Sequence, residues 1–167
     1  MNELDDSTAG LVDSLAAALK QRGWTLCTAE SCTGGLIAAA CTSLAGSSDW
    51  FERGMVSYSN AAKTDLLGVP PELIATHGAV SAEVARAMAD GALARSVANI
   101  AVAVTGIAGP GGATPGKPVG TVWVAVAMRG RHAVATLLHL DGDRADVRTQ
   151  TVLFALRALN AAVSAAA

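Results

Sequence analysis

Nowhere in the chain do about 18 or more uncharged apolar residues run together, so no bilayer-spanning helix is expected, although 51% of the residues are hydrophobic. The start, MNELDDSTAG, is acidic and lacks the basic, apolar pattern of a signal or transit peptide. Cys27, Cys32 and Cys41 are the only cysteines, an odd number with no CxxC pair and no partnering histidine spacing. That argues against a disulfide frame or structural zinc and for a reducing cytoplasm. Lysine and arginine form no cluster and the net charge is −2, which gives no reason to expect a nucleic-acid surface. Aromatics make up only 4% while alanine is plentiful, a composition suited to helices packed tightly on a sheet. Repeats, linkers and low-complexity segments are missing, apart from an SAAA end expected to fray. With 167 residues, one well-buried core needs no staples. The expectation is one soluble cytoplasmic domain.

What is present alternates helix with strand. Leu11, Leu15 and Leu19 recur at i, i+4, i+8 in a helix over 8–22, closed by Gly23. WTLCTA reads as a short strand, and Gly34 and Gly35 open a helix through LIAAACTSLA that Gly46 ends. RGMVSYS reads as a strand, NAAKTDLLG as a short helix capped by Asn60, and Pro70–Pro71 as a break. Ser81 caps a long helix with Glu83 in its first turn, where the macrodipole favours an acid. NIAVAVTG is nearly all apolar, as a strand buried on both faces should be. TVWVAVAM and HAVATLLHL form a hairpin across RGR, and Val152, Leu156, Leu159 and Val163 mark the buried stripe of a last helix. The class is α/β, with a mixed sheet covered on both faces.

Several segments carry possible chemistry. GGATPGK, residues 111–117, has the GxxxxGK spacing of a phosphate loop, but Pro118 replaces the magnesium-binding Ser or Thr and a strand follows instead of a helix. A true phosphate loop is rejected. The long loop GIAGPGGATPGKPVG still follows a buried strand ending at Thr105, where α/β proteins bind ligands; its other reading is a flexible connection. Asp141 and Asp143 resemble half a calcium loop without its later carboxylates, and His77, His132 and His139 are scattered, so no metal site is supported. TAESCTGG puts Ser31 and Cys32 between a strand and a glycine-opened helix, where unpaired amides can stabilise an oxyanion. A hydroxyl there needs a base. Lys63, in YSNAAK, would serve if burial removed its proton, although a solvated surface lysine is the ordinary case. The residues alone leave the serine and the cysteine undecided.

Taken together, TAESCTGGLIAAACTSLAGSS, VSYSNAAKTDLLGV, HGAVSAEVARAMADGA, AVAVTGIAGPGG, KPVGTVWVAVA and GDRADVR resemble the CinA C-terminal family of nicotinamide-nucleotide amidases over residues 8–163. The resemblance implies a single three-layer α/β/α domain with a mixed, mostly parallel sheet. Larger family members carry a further N-terminal domain, so the stand-alone form is expected. It also implies hydrolysis of the carboxamide of nicotinamide mononucleotide to nicotinate mononucleotide and ammonia, without metal or cofactor, by a homodimer. On this resemblance Ser31 is the nucleophile, Lys63 the general base and Tyr58 their neighbour, relaying the proton or ordering Lys63. Amides of Thr33, Gly34 and Gly35 would hold the oxyanion, while Thr105, Gly106 and Arg144 would contact the substrate. The alternative is a nucleotide-binding or regulatory module that keeps the pocket without turnover.

Overall fold

The computed structural model describes residues 6–166, so the first five residues of the acidic start and the final alanine lie outside it. In chain order the elements are α1 (Asp6–Arg22), β1 (Leu26–Glu30), α2 (Leu36–Thr42), β2 (Phe51–Val56), α3 (Asn60–Leu67) and α4 (Pro71–His77). They continue with α5 (Ala82–Ala94), β3 (Ile100–Gly106), β4 (Thr121–Met128), β5 (Val134–His139) and α6 (Arg144–Ala165). One sheet runs in the order β2-β1-β3-β4-β5. β1 pairs in parallel with β2 and β3, whereas β3–β4 and β4–β5 are antiparallel. Only β4 therefore opposes the other strands, which gives the mixed, mostly parallel sheet.

Alternation along β3 explains the two covering layers. Ile100, Val102 and Val104 face α1 and α6, meeting Leu15, Leu19, Leu156 and Leu159. Ala101 and Ala103 face the other way, against Ala85, Met88 and Ala89 of α5. Burying each leucine contributes about 1.5–3 kcal/mol, so the α1/α6 layer supplies most of the apolar stabilisation. The alanine face instead permits close approach. Gly91 of α5 abuts the end of α3, where an added β-carbon would run into the Leu67 carbonyl oxygen.

Element ends differ from the sequence reading, most clearly in four places. Ser59 rather than Asn60 caps α3, because its extended backbone lets Oγ accept the Ala62 amide at 3.0 Å. Pro71 starts a helix instead of breaking one, since a first-turn residue needs no amide hydrogen. α2 stops at Thr42, short of Gly46; Thr42 and Ser43 hydroxyls donate to the Ala38 and Ala40 carbonyls of its last turn. α6 continues to Ala165, into the segment expected to fray. Ser81 caps α5 as expected, its Oγ accepting the Val84 amide. No helix among the described residues is long and apolar enough to cross a membrane.

The topology also selects where a ligand can bind. From β1 the chain passes through α2 to β2 on one side, then through α3–α5 to β3 on the other side of β1. Connections that diverge in this way open a crevice beyond the carboxyl ends of the strands. β1 and β2 end level, Glu30 being in register with Val56, and β3 runs two residues past Val104, its partner to Glu30, to Gly106.

Candidate active site

Three strand ends deliver the site. Ser31 follows β1, Ser57 and Tyr58 follow β2, and Thr105 and Gly106 close β3. The Ser31 amide donates to the Val104 carbonyl at 3.1 Å and the Ser57 amide to the Glu30 carbonyl at 2.8 Å, which holds the three ends together. They enclose a cavity of about 200 Å³ whose wall includes Ser31, Cys32, Tyr58, Lys63, Thr105, Gly106 and Arg144.

Lys63 enters from the second turn of α3 and is only 1% exposed. Its Nζ lies 3.1 Å from Ser31 Oγ, 3.1 Å from the Ser57 carbonyl oxygen and 3.5 Å from that of Tyr58. None of the ion pairs among the described residues involves it. Burial lowers its pKa, with the neighbouring Cys32 opposing the change more weakly. A neutral amine has two N–H groups and one lone pair. The two carbonyls match the N–H groups, and the lone pair is left for the Ser31 hydroxyl.

Cys32 shares the wall without sharing this environment. It is 5% exposed, and burial pushes its thiol up to about 11, so it is protonated at neutral pH. Tyr58 is 58% exposed and approaches Lys63 through its main-chain oxygen. Its phenol oxygen accepts instead from Arg144 Nη2 at 2.8 Å, so the proton-relay expectation finds no direct contact. Arg144 also donates to the Gly109 carbonyl at 2.9 Å, bridging β2's exit to the loop after β3. Thr105 Oγ1, on the cavity wall, donates to the Ala79 carbonyl at 2.8 Å.

Thr33, Gly34 and Gly35 do not line the cavity. Thr33 Oγ1 turns onto the Glu30 carboxylate at 2.7 Å, and the Gly34 amide donates to the Ser31 carbonyl at 3.0 Å. Gly34 (φ +60°) and Gly35 (φ +99°) are both left-handed, a conformation that makes so abrupt a strand-to-helix turn possible. Glu30, which the sequence reading passed over, organises this turn. At 1% exposure its carboxylate accepts from Thr28 and Thr33 hydroxyls and from the Ile37 and Ala38 amides. It thus caps α2 from outside the helix. Arg148 of α6 was also missed; it donates to the Cys32 and Thr33 carbonyls. An acid shortly before a glycine-opened helix was the only local signal for Glu30. Arg148 had none, since its partners lie more than a hundred residues away.

The remaining motifs resolve structurally. GGATPGK forms a tight turn in which Thr114 and Lys117 pair backbone to backbone, with Lys117 Nζ donating to the His77 carbonyl. Asp143 is the N-cap of α6, accepting the Ala145 and Asp146 amides. Among the described residues no three His, Cys, Asp or Glu side chains come together as metal ligands would.

Fold and site define an α/β protein with a buried serine–lysine pair at the switch point of its sheet. The family profile described as the CinA C-terminal domain matches residues 8–163, and the chain belongs to that family. It is 55% identical over 162 residues to a CinA-like protein of Mycolicibacterium gilvum, covering 97% of this chain and 38% of that one. Thus it spans about two fifths of that relative's length. It is 50% identical over 143 residues to the nicotinamide-nucleotide amidohydrolase PncC of Enterobacter agglomerans, covering 86% and 87% of the two chains. The crystal structure of the competence/damage inducible protein CihA from Agrobacterium tumefaciens superposes with a TM-score of 0.93 at 45% identity, covering 98% of this chain and 99% of that one.

Burial of Lys63 sets a pH dependence of stability. With its native pKa lowered, the unfolded chain binds the extra proton from the native value up to about 10.4, and stability rises with pH across that window. Below the native value both states are charged and the penalty is full and constant. Lys63→Met should abolish this rise, so denaturant midpoints of the two proteins converge as pH increases. Parallel midpoints over the whole range would contradict an uncompensated buried amine.

Proposed function

We propose that this protein hydrolyses the carboxamide of nicotinamide mononucleotide, releasing nicotinate mononucleotide and ammonia, with Ser31 as nucleophile and Lys63 as general base. The observation that carries the reading is the Lys63 amine, buried without a carboxylate and 3.1 Å from Ser31 Oγ. The Enterobacter relative with the amidohydrolase name supports the substrate class.

Neutral Lys63 takes the Ser31 proton as Oγ attacks the carboxamide carbon. The carbonyl oxygen becomes an oxyanion, for which the amide after the nucleophile, that of Cys32, is a donor on the cavity wall. As the intermediate collapses, the Lys63 ammonium protonates the amide nitrogen, the C–N bond breaks and ammonia leaves. Water then attacks the acyl–Ser31 ester, giving a proton to Lys63 and regenerating the serine. Thr105, Gly106 and Arg144 contact the bound nucleotide around this centre. The setting is a reducing cytoplasm, in keeping with the free Cys27, Cys32 and Cys41. The working form is a homodimer, for which exposed Leu36, Val56 and Leu66 offer apolar contact.

Two measurements test these statements. Purified protein should release ammonia from nicotinamide mononucleotide; Ser31→Ala should lower turnover by roughly 10³-fold or more, while Cys32→Ala stays near wild type. An active Ser31→Ala with an inactive Cys32→Ala would overturn the serine mechanism. Sedimentation equilibrium should give twice the 16.7 kDa chain mass, and a monomer at assay concentrations would refute the dimer.

A further inference from the structure

The turn between β1 and α2 is held from two sides, and the scheme above uses neither support. Glu30 takes the Ile37 and Ala38 amides on the helix side. Arg148, on α6, donates Nε to the Cys32 carbonyl at 3.1 Å and Nη2 to the Thr33 carbonyl at 3.0 Å. Its guanidinium packs over Gly34, where an added β-carbon would sit 3.5 Å from Nη2. With the Gly34 amide committed to the Ser31 carbonyl, the Cys32 amide, whose neighbour is its own thiol, is the donor that this turn brings to the cavity wall.

We propose that Arg148 is a positioning residue for oxyanion stabilisation: its two hydrogen bonds hold the 32–34 turn so that the Cys32 amide, on the cavity wall, meets the oxygen that becomes negative. This rests on Ser31 being the nucleophile. Peptide planes are rigid, so a planar cation bound to the Cys32 and Thr33 carbonyls fixes both planes and with them the place of Cys32 on the cavity wall. Arg148's charge is felt within the site, since it is among the groups that counter the burial-driven rise of the Cys32 thiol. A lysine could keep the charge but not span both carbonyls with a planar fork.

The test compares Arg148→Met, Arg148→Lys and Ser31→Ala. Each is assayed for kcat and KM on nicotinamide mononucleotide and for affinity towards pyridine-3-boronic acid, which adds a serine oxygen to form an anionic tetrahedral adduct. Arg148→Met should lose roughly 10- to 100-fold in kcat, less than the 10²–10³ cost of deleting a donor outright, with KM nearly unchanged. Its boronate affinity should fall by a similar factor, and Arg148→Lys should lie between the two proteins. A raised KM at wild-type kcat would overturn the proposal, because it would make Arg148 a ground-state ligand. If Arg148→Met fails to fold, Arg148→Lys decides: reduced kcat at constant KM supports the role, and wild-type kcat rejects it. A fully active Ser31→Ala would sink the nucleophile reading and this inference with it. An inactive Ser31→Ala beside wild-type turnover in both Arg148 variants would remove this inference alone.

Discussion

A lysine amine shut away from water, with two main-chain carbonyls and one hydroxyl as its hydrogen-bond partners among the described residues, is the constraint around which this site is arranged. No carboxylate among its hydrogen-bond partners compensates a charge on Lys63, and burial favours the neutral amine. The fold assembles this environment at the strand ends. β1 and β2 end level beside Val104 of β3, so the residue after β1 supplies the hydroxyl and the two after β2 supply the carbonyls. α3, capped by Ser59, then presents Lys63 back towards the strand ends.

The same economy governs the acid and the base that flank the turn. Glu30 is buried one residue before Ser31, yet its oxygens are occupied by two hydroxyls and two amides. It therefore stabilises the start of α2 without pairing with Lys63. Had it reached the amine, the ion pair would have held Lys63 protonated and spoiled it as a base. Arg148 likewise spends its charge on carbonyls. The site keeps ionic groups nearby while leaving the amine uncompensated, which ties its stability cost to its proposed chemistry.

Much of this was legible in the sequence, and the remainder was hidden for physical reasons. The all-apolar β3, the leucine stripe of α1 and the Ser81 cap are local patterns, and each formed where its residues pointed. Ser31, Lys63, Tyr58, Thr105, Gly106 and Arg144 were singled out in advance and meet at one cavity. Thr33–Gly35 were expected to face the ligand because helix N-termini carry free amides. Glu30 had already claimed the amides of Ile37 and Ala38, and Gly34's turns back to Ser31. Burial of Lys63 could not be read from its polar-looking neighbours Asn60 and Thr64. It depends on Ser31 and Ser57, which only the sheet brings close. α4 escaped notice because Pro70–Pro71 reads equally as a stop and as a helix start.

The most direct test of a neutral Lys63 base is its own ionisation, followed by NMR of ¹³C-labelled lysine Cε, set beside the pH profile of kcat/KM for ammonia release. Lys63 should titrate below the ordinary lysine value of about 10.4, and kcat/KM should fall on acidification with a single-proton limb at the same pH. A Lys63 that stays charged up to the ordinary value, or a rate that remains flat through its titration, would contradict the account.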